Sequence, residues 1–307
     1  MRAAGVSALG EPVEILEVDE PAPPGEDEVL INVAAAGVGN WDELVRIGSW
    51  QIGGPAPMAL GTEAAGTVGA VGPNVADVHV GDEVMAHPLP LRRHGTWAEK
   101  VVAPAATLAA RPPEASWEAA AAFPIPALTA AQVVDEALGI ESGDEVLVNG
   151  AGGVTGGLLV QLAAARGARV IATASAAKAE RIRGYGASEV LDYHGDWPAL
   201  VREITGGGVS KAVNAARGQA TTTLKAITDG GRLATITGDP PQEERGVDVS
   251  DVYVRPDGRQ LSALAELLAR ATLSVPIASI RPLEQAKEAL REVVAGADGA
   301  IVLLLRT

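Results

Sequence analysis

With 307 residues, 47% hydrophobic and 21% charged, the chain can bury a substantial core, and its length favours two domains over one. Its formal charge of −15 argues against nucleic acid as a partner, since phosphate backbones need clustered Lys and Arg. The absence of cysteine excludes disulfides, thiolate zinc sites, Fe–S clusters and cysteine nucleophiles in one step.

The first hundred residues read as short strands broken by Gly and Pro, such as "EVLINVAAAGV", "AAGTVGAVG" and "GDEVMAH", and predict an all-β region. The basic spot from Arg92 to His94 is expected on a solvated loop. From Trp117 an Ala-rich amphipathic stretch leads into regular alternation. Strands are predicted at "EVLVNG", "RVIATAS", "SEVLDY", "KAVNAA" and "GRLATITG", with helices at runs such as "GGLLVQLAAARG" and "ATTTLKAITDG". Helix ends marked by Gly167, Gly184 and Gly230 complete the pattern of right-handed crossovers in a doubly wound parallel sheet. The tail adds a helix at "QLSALAELLARA", a strand at "IASIRPL", a helix at "LEQAKEALREVVAG" and a last strand at "AIVLLL". The stretch from Gly238 to Asp248 reads as a surface loop without chemistry. No stretch approaches the roughly 20 apolar residues that span a bilayer, and Glu11 interrupts the place where a secretory peptide would be apolar. A cytoplasmic location without membrane contact is the expectation.

The most informative stretch is "NGAGGVTGG", Asn149 to Gly157, between a strand and a helix. A phosphate cradle needs a buried strand, a tight glycine turn that admits the pyrophosphate to backbone amides, and a helix whose positive N-terminus faces it. All three occur in order. Gly150, Gly153 and Gly156 form a G-x-x-G-x-x-G that departs from the usual G-x-G-x-x-G, yet it falls at the first crossover, where an ordinary turn would not need regularly spaced glycines. Gly150, Gly152, Gly153 and Gly156, with Val154 and Thr155 opening the helix, are therefore the expected dinucleotide contacts. The next strand, "RVIATAS", ends without the Asp or Glu that would accept from a ribose 2′-OH, which points away from NAD.

The ordered set "PAPPGEDEVLINVAAAGV", "LGTEAAGTVGAVG", "VGDEVMA", "GTWAEKVV", "FPIPALTA", "EVLVNGAGGVTGG" and "GGRL" resembles the medium-chain dehydrogenase/reductase superfamily, in its zinc-free, zeta-crystallin-like NADPH:quinone oxidoreductase branch. The resemblance spans nearly the whole chain. It implies an α/β fold, with a GroES-like β-rich catalytic domain over residues 1–112 and a Rossmann domain, a doubly wound parallel sheet binding NADPH, over 113–255. It also implies a segment, 256–307, that returns to the catalytic domain or the sheet edge, a cleft between the domains, and assembly as a homodimer or homotetramer. Ser175, Lys178 and Tyr193 stand where resembling quinone reductases surround the adenosine 2′-phosphate, and Thr129 of "ALTA" where they approach the nicotinamide amide.

Zinc-dependent relatives hold their metal with a Cys and a His at positions that here read Gly39 and Thr62; Glu63 survives alone, so no metal site is expected. His79, His87, His94 and His194 lack ligand spacing and read as surface or hydrogen-bonding residues. Zinc-free relatives carry an Asn-Pro or Asn-Phe in the loop that here reads "GNWDEL". Asn40 is thus the candidate hydrogen-bond donor to the substrate, Asp42 the acid that shapes the pocket, and Trp41 and Trp50 are candidate pocket walls or, equally, ordinary packing. The implied activity is transfer of hydride from NADPH to a small-molecule acceptor, a quinone or α,β-unsaturated carbonyl, whose developing enolate needs only hydrogen-bond donors and a proton. An enoyl-thioester reductase of a tailoring pathway and a cofactor-binding protein with little turnover remain as alternatives.

Overall fold

The computed structural model describes residues 1–305, which form two compact units: residues 1–125 with those from Pro256 onward, and Pro126–Arg255. Arg306 and Thr307, the end of the expected C-terminal segment, lie outside the described residues.

The chain opens with β1 (Arg2–Val6), β2 (Glu14–Glu17), β3 (Glu28–Val38), α1 (Asn40–Arg46), β4 (Met58–Ala59), β5 (Ala64–Val71), β6 (Glu83–Ala86), β7 (Lys100–Pro104), β8 (Leu108–Ala110) and α2 (Trp117–Ala121). There follow α3 (Pro124–Ala131), which continues into a wide-turned π segment Gln132–Ala137, then β9 (Glu145–Asn149), α4 (Val154–Ala165), β10 (Arg169–Ala174), α5 (Ala179–Gly184) and β11 (Ala187–Asp192). The alternation ends with α6 (Trp197–Thr205), β12 (Val209–Asn214), α7 (Ala220–Leu224), β13 (Ile227–Thr235) and β14 (Asp248–Asp251). The tail is α8 (Gly258–Ala269), β15 (Ile277–Pro282), α9 (Ala286–Ala295) and β16 (Ala300–Leu304).

In the first unit, a small sheet in the order β2-β1-β4 accompanies a seven-stranded sheet in the order β15-β16-β3-β5-β6-β8, with β7 also paired to β3. The tail joins this sheet by antiparallel pairing of β16 with β3, Val302 opposite Gly37. Val29, Ile31 and Val33 of β3, Leu60, Val68, Trp97 and Ile301 fill its core. The long strand β3 carries the period-two pattern of a half-buried strand as far as Val33 and then turns wholly buried, because it is covered on both faces from there.

The second unit is a six-stranded sheet in the order β11-β10-β9-β12-β13-β14, every neighbouring pair parallel. That order is the doubly wound Rossmann arrangement, whose strand order reverses at β9, so ligands are expected outside the carboxyl ends of β9, β10 and β12. Continuous apolar strands such as "VIATA" and "VLV" are what burial on both faces requires. Leu147, Ile171, Ala212 and Leu233 of the strands pack with Trp197, Val201 and Leu224 of the helices.

The structure departs from the sequence reading in three places. Residues 113–125, assigned to the second domain by the family resemblance, group with the first unit, where α2 packs on β3 and β5. A helix, α1, interrupts the region read as all-β, because Gly39 is extended and Asp42 reaches back to accept its N–H at 2.8 Å, which caps the helix start. The helix expected over "ATTTLKAITDG" stops at Leu224. Ile227 to Gly230 instead begin β13, so Gly230 ends no helix.

Candidate functional site

The cradle is built at the carboxyl end of β9. Gly150 takes φ +87°, and a Cβ there would lie 2.8 Å from the Ala215 carbonyl carbon. Its N–H donates to the Thr173 hydroxyl at 3.0 Å, and Gly153 N–H donates back to the Gly150 carbonyl at 3.3 Å, closing the turn. Gly156 lets α4 approach that turn, since a Cβ would sit 2.1 Å from the Gly150 oxygen. Gly153 begins α4 without any side-chain oxygen to cap it, which leaves the first-turn amides for a ligand. The nearest atom to a Cβ at Gly153 would be 3.8 Å away, so open space lies in front of the turn.

That space is a pocket of about 430 Å³ whose lining includes Gly150, Gly152, Gly153, Ser175, Lys178 and Tyr193. Six of the residues expected at the dinucleotide therefore share one cavity. Lys178 folds back to donate to the Gly152 carbonyl at 3.2 Å, while half-exposed Tyr193 lays its ring 3.9 Å from that of His194. No acidic residue lines the pocket. Val154, Thr155 and Gly156 open α4 behind the lining, and Thr129 is buried in α3, outside it.

Beneath the pocket lies a polar network that motif reading missed. Asn149, at the end of β9, donates to the Asn214 carbonyl oxygen and to the Thr223 hydroxyl, each at 3.0 Å, and accepts from Thr173 at 2.5 Å. Asn214 in turn donates to Thr237 at 3.0 Å. Asn149, Thr173, Asn214 and Thr223 are all buried, and each has partners. The available signal was the polar residue closing each apolar strand: Asn149, Thr173 and Asn214 sit at the carboxyl ends of β9, β10 and β12. Arg217, also in the lining, was missed because one cation in a loop has no motif around it. Asp239, in the stretch read as chemically silent, accepts from Gly218 N–H at 2.6 Å.

The first unit holds the other candidate residues. Asn40 is exposed at the start of α1, and Trp41 is half-buried with its indole N–H buried and unpartnered. The Trp41 ring covers Gly39, where a Cβ would lie 2.0 Å from Cε2. Asp42 is wholly buried; burial pushes its carboxyl up to about 7, against the pull of the Gly39 amide and of the nearby Gly61 amide and Thr62 hydroxyl. Trp50 packs half-buried on the core of this unit.

Around Asp42 stand three further buried polar groups. The Thr62 hydroxyl lies near the Asp42 carboxyl but short of a well-formed hydrogen bond, and the Thr62 carbonyl meets His87 Nδ1 at 2.8 Å. A carbonyl only accepts, so Nδ1 carries the proton and unpartnered Nε2 is an acceptor. Burial holds the His87 imidazole down to about 4, hence neutral. Glu63 accepts from Ile125 N–H at 2.9 Å, and burial, with the Asp42 charge, drives its carboxyl well above the usual range. Of the other histidines, His94 accepts from Ala59 N–H at 3.3 Å, while His79 and His194 are exposed beside Asp82 and Asp192. Among the described residues no three His, Cys, Asp or Glu side chains are grouped to hold a metal.

Comparison with known proteins agrees with this architecture. Residues 25–113 match the alcohol dehydrogenase GroES-like domain family and residues 154–258 the zinc-binding dehydrogenase family. The chain is 33% identical over 226 residues to a probable quinone oxidoreductase of Schizosaccharomyces pombe, covering 72% of this chain and 65% of that protein. It is 36% identical over 220 residues to a mycocerosic acid synthase-like polyketide synthase of Mycobacterium tuberculosis, covering 70% of this chain and 10% of the synthase. The chain thus spans less than two thirds of the length of these curated relatives. A crystal structure of an NAD-dependent alcohol dehydrogenase superposes with a TM-score of 0.91 at 33% identity, over the whole of both chains. With the sheet order, the glycine turn and these matches in agreement, the chain belongs to the medium-chain dehydrogenase/reductase superfamily, in its quinone oxidoreductase-like branch.

Proposed function

We propose that this chain is an NADPH-dependent oxidoreductase that reduces a quinone or an α,β-unsaturated carbonyl without a zinc ion. The observation that carries the reading is the composition of one cavity: a glycine turn at a helix N-terminus, Ser175, Lys178 and Tyr193 beside it, and no acid in the lining. Backbone amides and the α4 N-terminus suit a pyrophosphate, whereas a cation and two hydroxyls in place of an acid suit a ribose that carries a phosphate. When bound, the nicotinamide supplies hydride.

The reading without zinc rests on side chains. Gly39 has none, the Trp41 ring fills the space where one would begin, and Thr62 offers a hydroxyl rather than an imidazole. Without a Lewis acid, an alcohol has no partner for a developing alkoxide, while an activated acceptor needs only hydrogen bonds and a proton. Asn40 is the proposed donor. Asp42 shapes the start of α1, Trp41 walls the pocket, and Trp50 supports it by packing. The synthase match favours a second reading, in which the conjugated acceptor is an enoyl thioester. On family grounds we place the activity in the cytoplasm and in a homodimer or homotetramer.

Initial rates with both nicotinamides against quinones, enones and enoyl thioesters test the reading. Lys178→Ala should raise the KM for NADPH about tenfold and leave NADH use nearly unchanged, the scale of one partly exposed charge-assisted hydrogen bond. Equal use of NADH and NADPH by the unaltered protein, or equal weakening of both by the substitution, would overturn the assignment.

A further inference from the structure

Beyond Lys178, the pocket lining contains one other cation. Arg217 is exposed, and among the described residues it has no ion-pair or hydrogen-bond partner, in a chain with 39 acidic residues against 24 basic ones. Most arginines here are committed: Arg166 pairs with Asp135, Arg169 with Glu145, Arg245 with Asp229 and Arg255 with Glu136.

The loop that carries Arg217 is held at successive backbone positions. Ala215 N–H donates to the Asn149 carbonyl at 2.8 Å, Ala216 N–H to the Asn214 side chain at 3.4 Å, and Gly218 N–H to the Asp239 carboxylate at 2.6 Å. A loop fixed on both sides of an uncommitted guanidinium is pre-organised for a ligand, because little backbone entropy is left to lose on binding. The sheet order sets where the side chain stands. Ser175 and Lys178 follow β10 and Arg217 follows β12, the two neighbours of β9. With strands about 4.8 Å apart, the two cations stem from walls roughly 10 Å apart across the glycine turn, within reach of one ligand by long side chains.

We infer that Arg217 is a specificity residue, a second cationic arm that closes on the 2′-phosphate of the adenosine end of the dinucleotide from the wall opposite Lys178. This rests on the NADPH reading above. Guanidinium suits the role, since its planar fork takes two oxygens of one phosphate, whereas Lys178 contributes a point charge and is partly engaged by the Gly152 carbonyl. Asp239 acts through the backbone as a positioning residue, because its carboxylate holds Gly218 N–H, beside Arg217.

The test is calorimetric binding of NADPH, NADH and adenosine 2′,5′-bisphosphate to the whole protein at low and moderate salt, for the unaltered chain, Arg217→Ala and Arg217→Lys. Arg217→Ala should bind NADPH and the bisphosphate about tenfold more weakly, bind NADH as before, lose part of the salt dependence and keep its melting temperature. Arg217→Lys should fall between. Equal weakening of NADH would overturn the inference by making Arg217 a cover for the adenine ring, and so would unchanged NADPH binding by Arg217→Ala when Lys178→Ala is impaired. Failure of the unaltered protein to prefer NADPH would instead sink the cofactor reading itself, so the two failures are distinguishable.

Discussion

The polar interiors of the two units are kept in opposite states. In the second unit, Asn149, Thr173, Asn214 and Thr223 are buried and mutually hydrogen-bonded under the glycine turn. In the first, Asp42, Thr62 and His87 are as deeply buried, yet each keeps one polar atom without a well-formed hydrogen bond. A satisfied network in a low-dielectric interior rigidifies what stands on it, whereas an unsatisfied group bears its desolvation cost and responds by changing protonation. The second unit is thus arranged to hold a backbone shape, whereas burial in the first shifts Asp42, Glu63 and His87 toward their neutral forms.

Three substitutions would break or sharpen that contrast. The largest loss of stability is expected at Gly156, where any Cβ collides with the Gly150 carbonyl oxygen, an immobile backbone atom. Gly156→Val should destabilise the protein by about 3 kcal/mol or more, read by denaturant unfolding. If Gly156→Val were as stable as the unaltered chain, helix α4 would not be seated against the turn as described.

The next effect belongs to Asp42 and depends on pH. Its carboxyl is raised from 3.8 to about 7 by burial, so the folded state holds a proton that the unfolded state releases. The contribution is fully present below about pH 4 and is lost as pH rises through 7, a difference of roughly 4 kcal/mol. Glu63, also raised, acts in the same sense. His87, held down to about 4, acts oppositely between its folded value and its ordinary 6.5. Comparison with Asp42→Asn cancels the His87 contribution and the burial part of the Glu63 one. The part of Glu63 that is due to the Asp42 charge acts in the same sense as Asp42, and the Asn carbonyl can still accept from Gly39 N–H. The variant should match the unaltered protein near pH 4 and gain on it progressively up to pH 8; a constant stability difference across that range would show that Asp42 is ionised throughout.

Gly153 gives the smallest change in stability and the cleanest functional one. Because a Cβ there meets nothing closer than 3.8 Å, Gly153→Val should cost no more than about 1 kcal/mol of stability, the scale of an N-cap substitution. Its side chain would nevertheless occupy the mouth of the turn, and affinity for NADPH should fall about a hundredfold, roughly 2.7 kcal/mol. Unchanged affinity in a folded Gly153→Val protein would make the turn a structural feature only. Set beside Gly156→Val, this pair separates glycines that seat the helix from the glycine that faces the ligand.

Much of the second unit was legible because its signals are local. The apolar run "VLV" followed by Gly150 to Gly156 encodes strand, turn and helix within a few residues, and the missing acid after "RVIATA" is read at a single place. The first unit hid more. Helix α1 arises from a capping contact between Gly39 and Asp42 inside a stretch whose composition reads as β, and His87 gave no signal because its partner, the Thr62 carbonyl, is remote in sequence.

The sequence by itself determined the chemistry that is available: no cysteine, no side chain at Gly39, a glycine turn at the first crossover, and Ser175, Lys178 and Tyr193 beyond it. Only the tertiary structure decided which groups are partners. Asn149 finds Asn214 because β9 and β12 are neighbours in the sheet although 65 residues separate the two side chains, and Arg217 faces the pocket because Asn149, Asn214 and Asp239 hold its loop. The reason is physical: hydrogen-bond satisfaction and desolvation depend on what packing brings within about 3 Å, a distance that linear spacing does not encode.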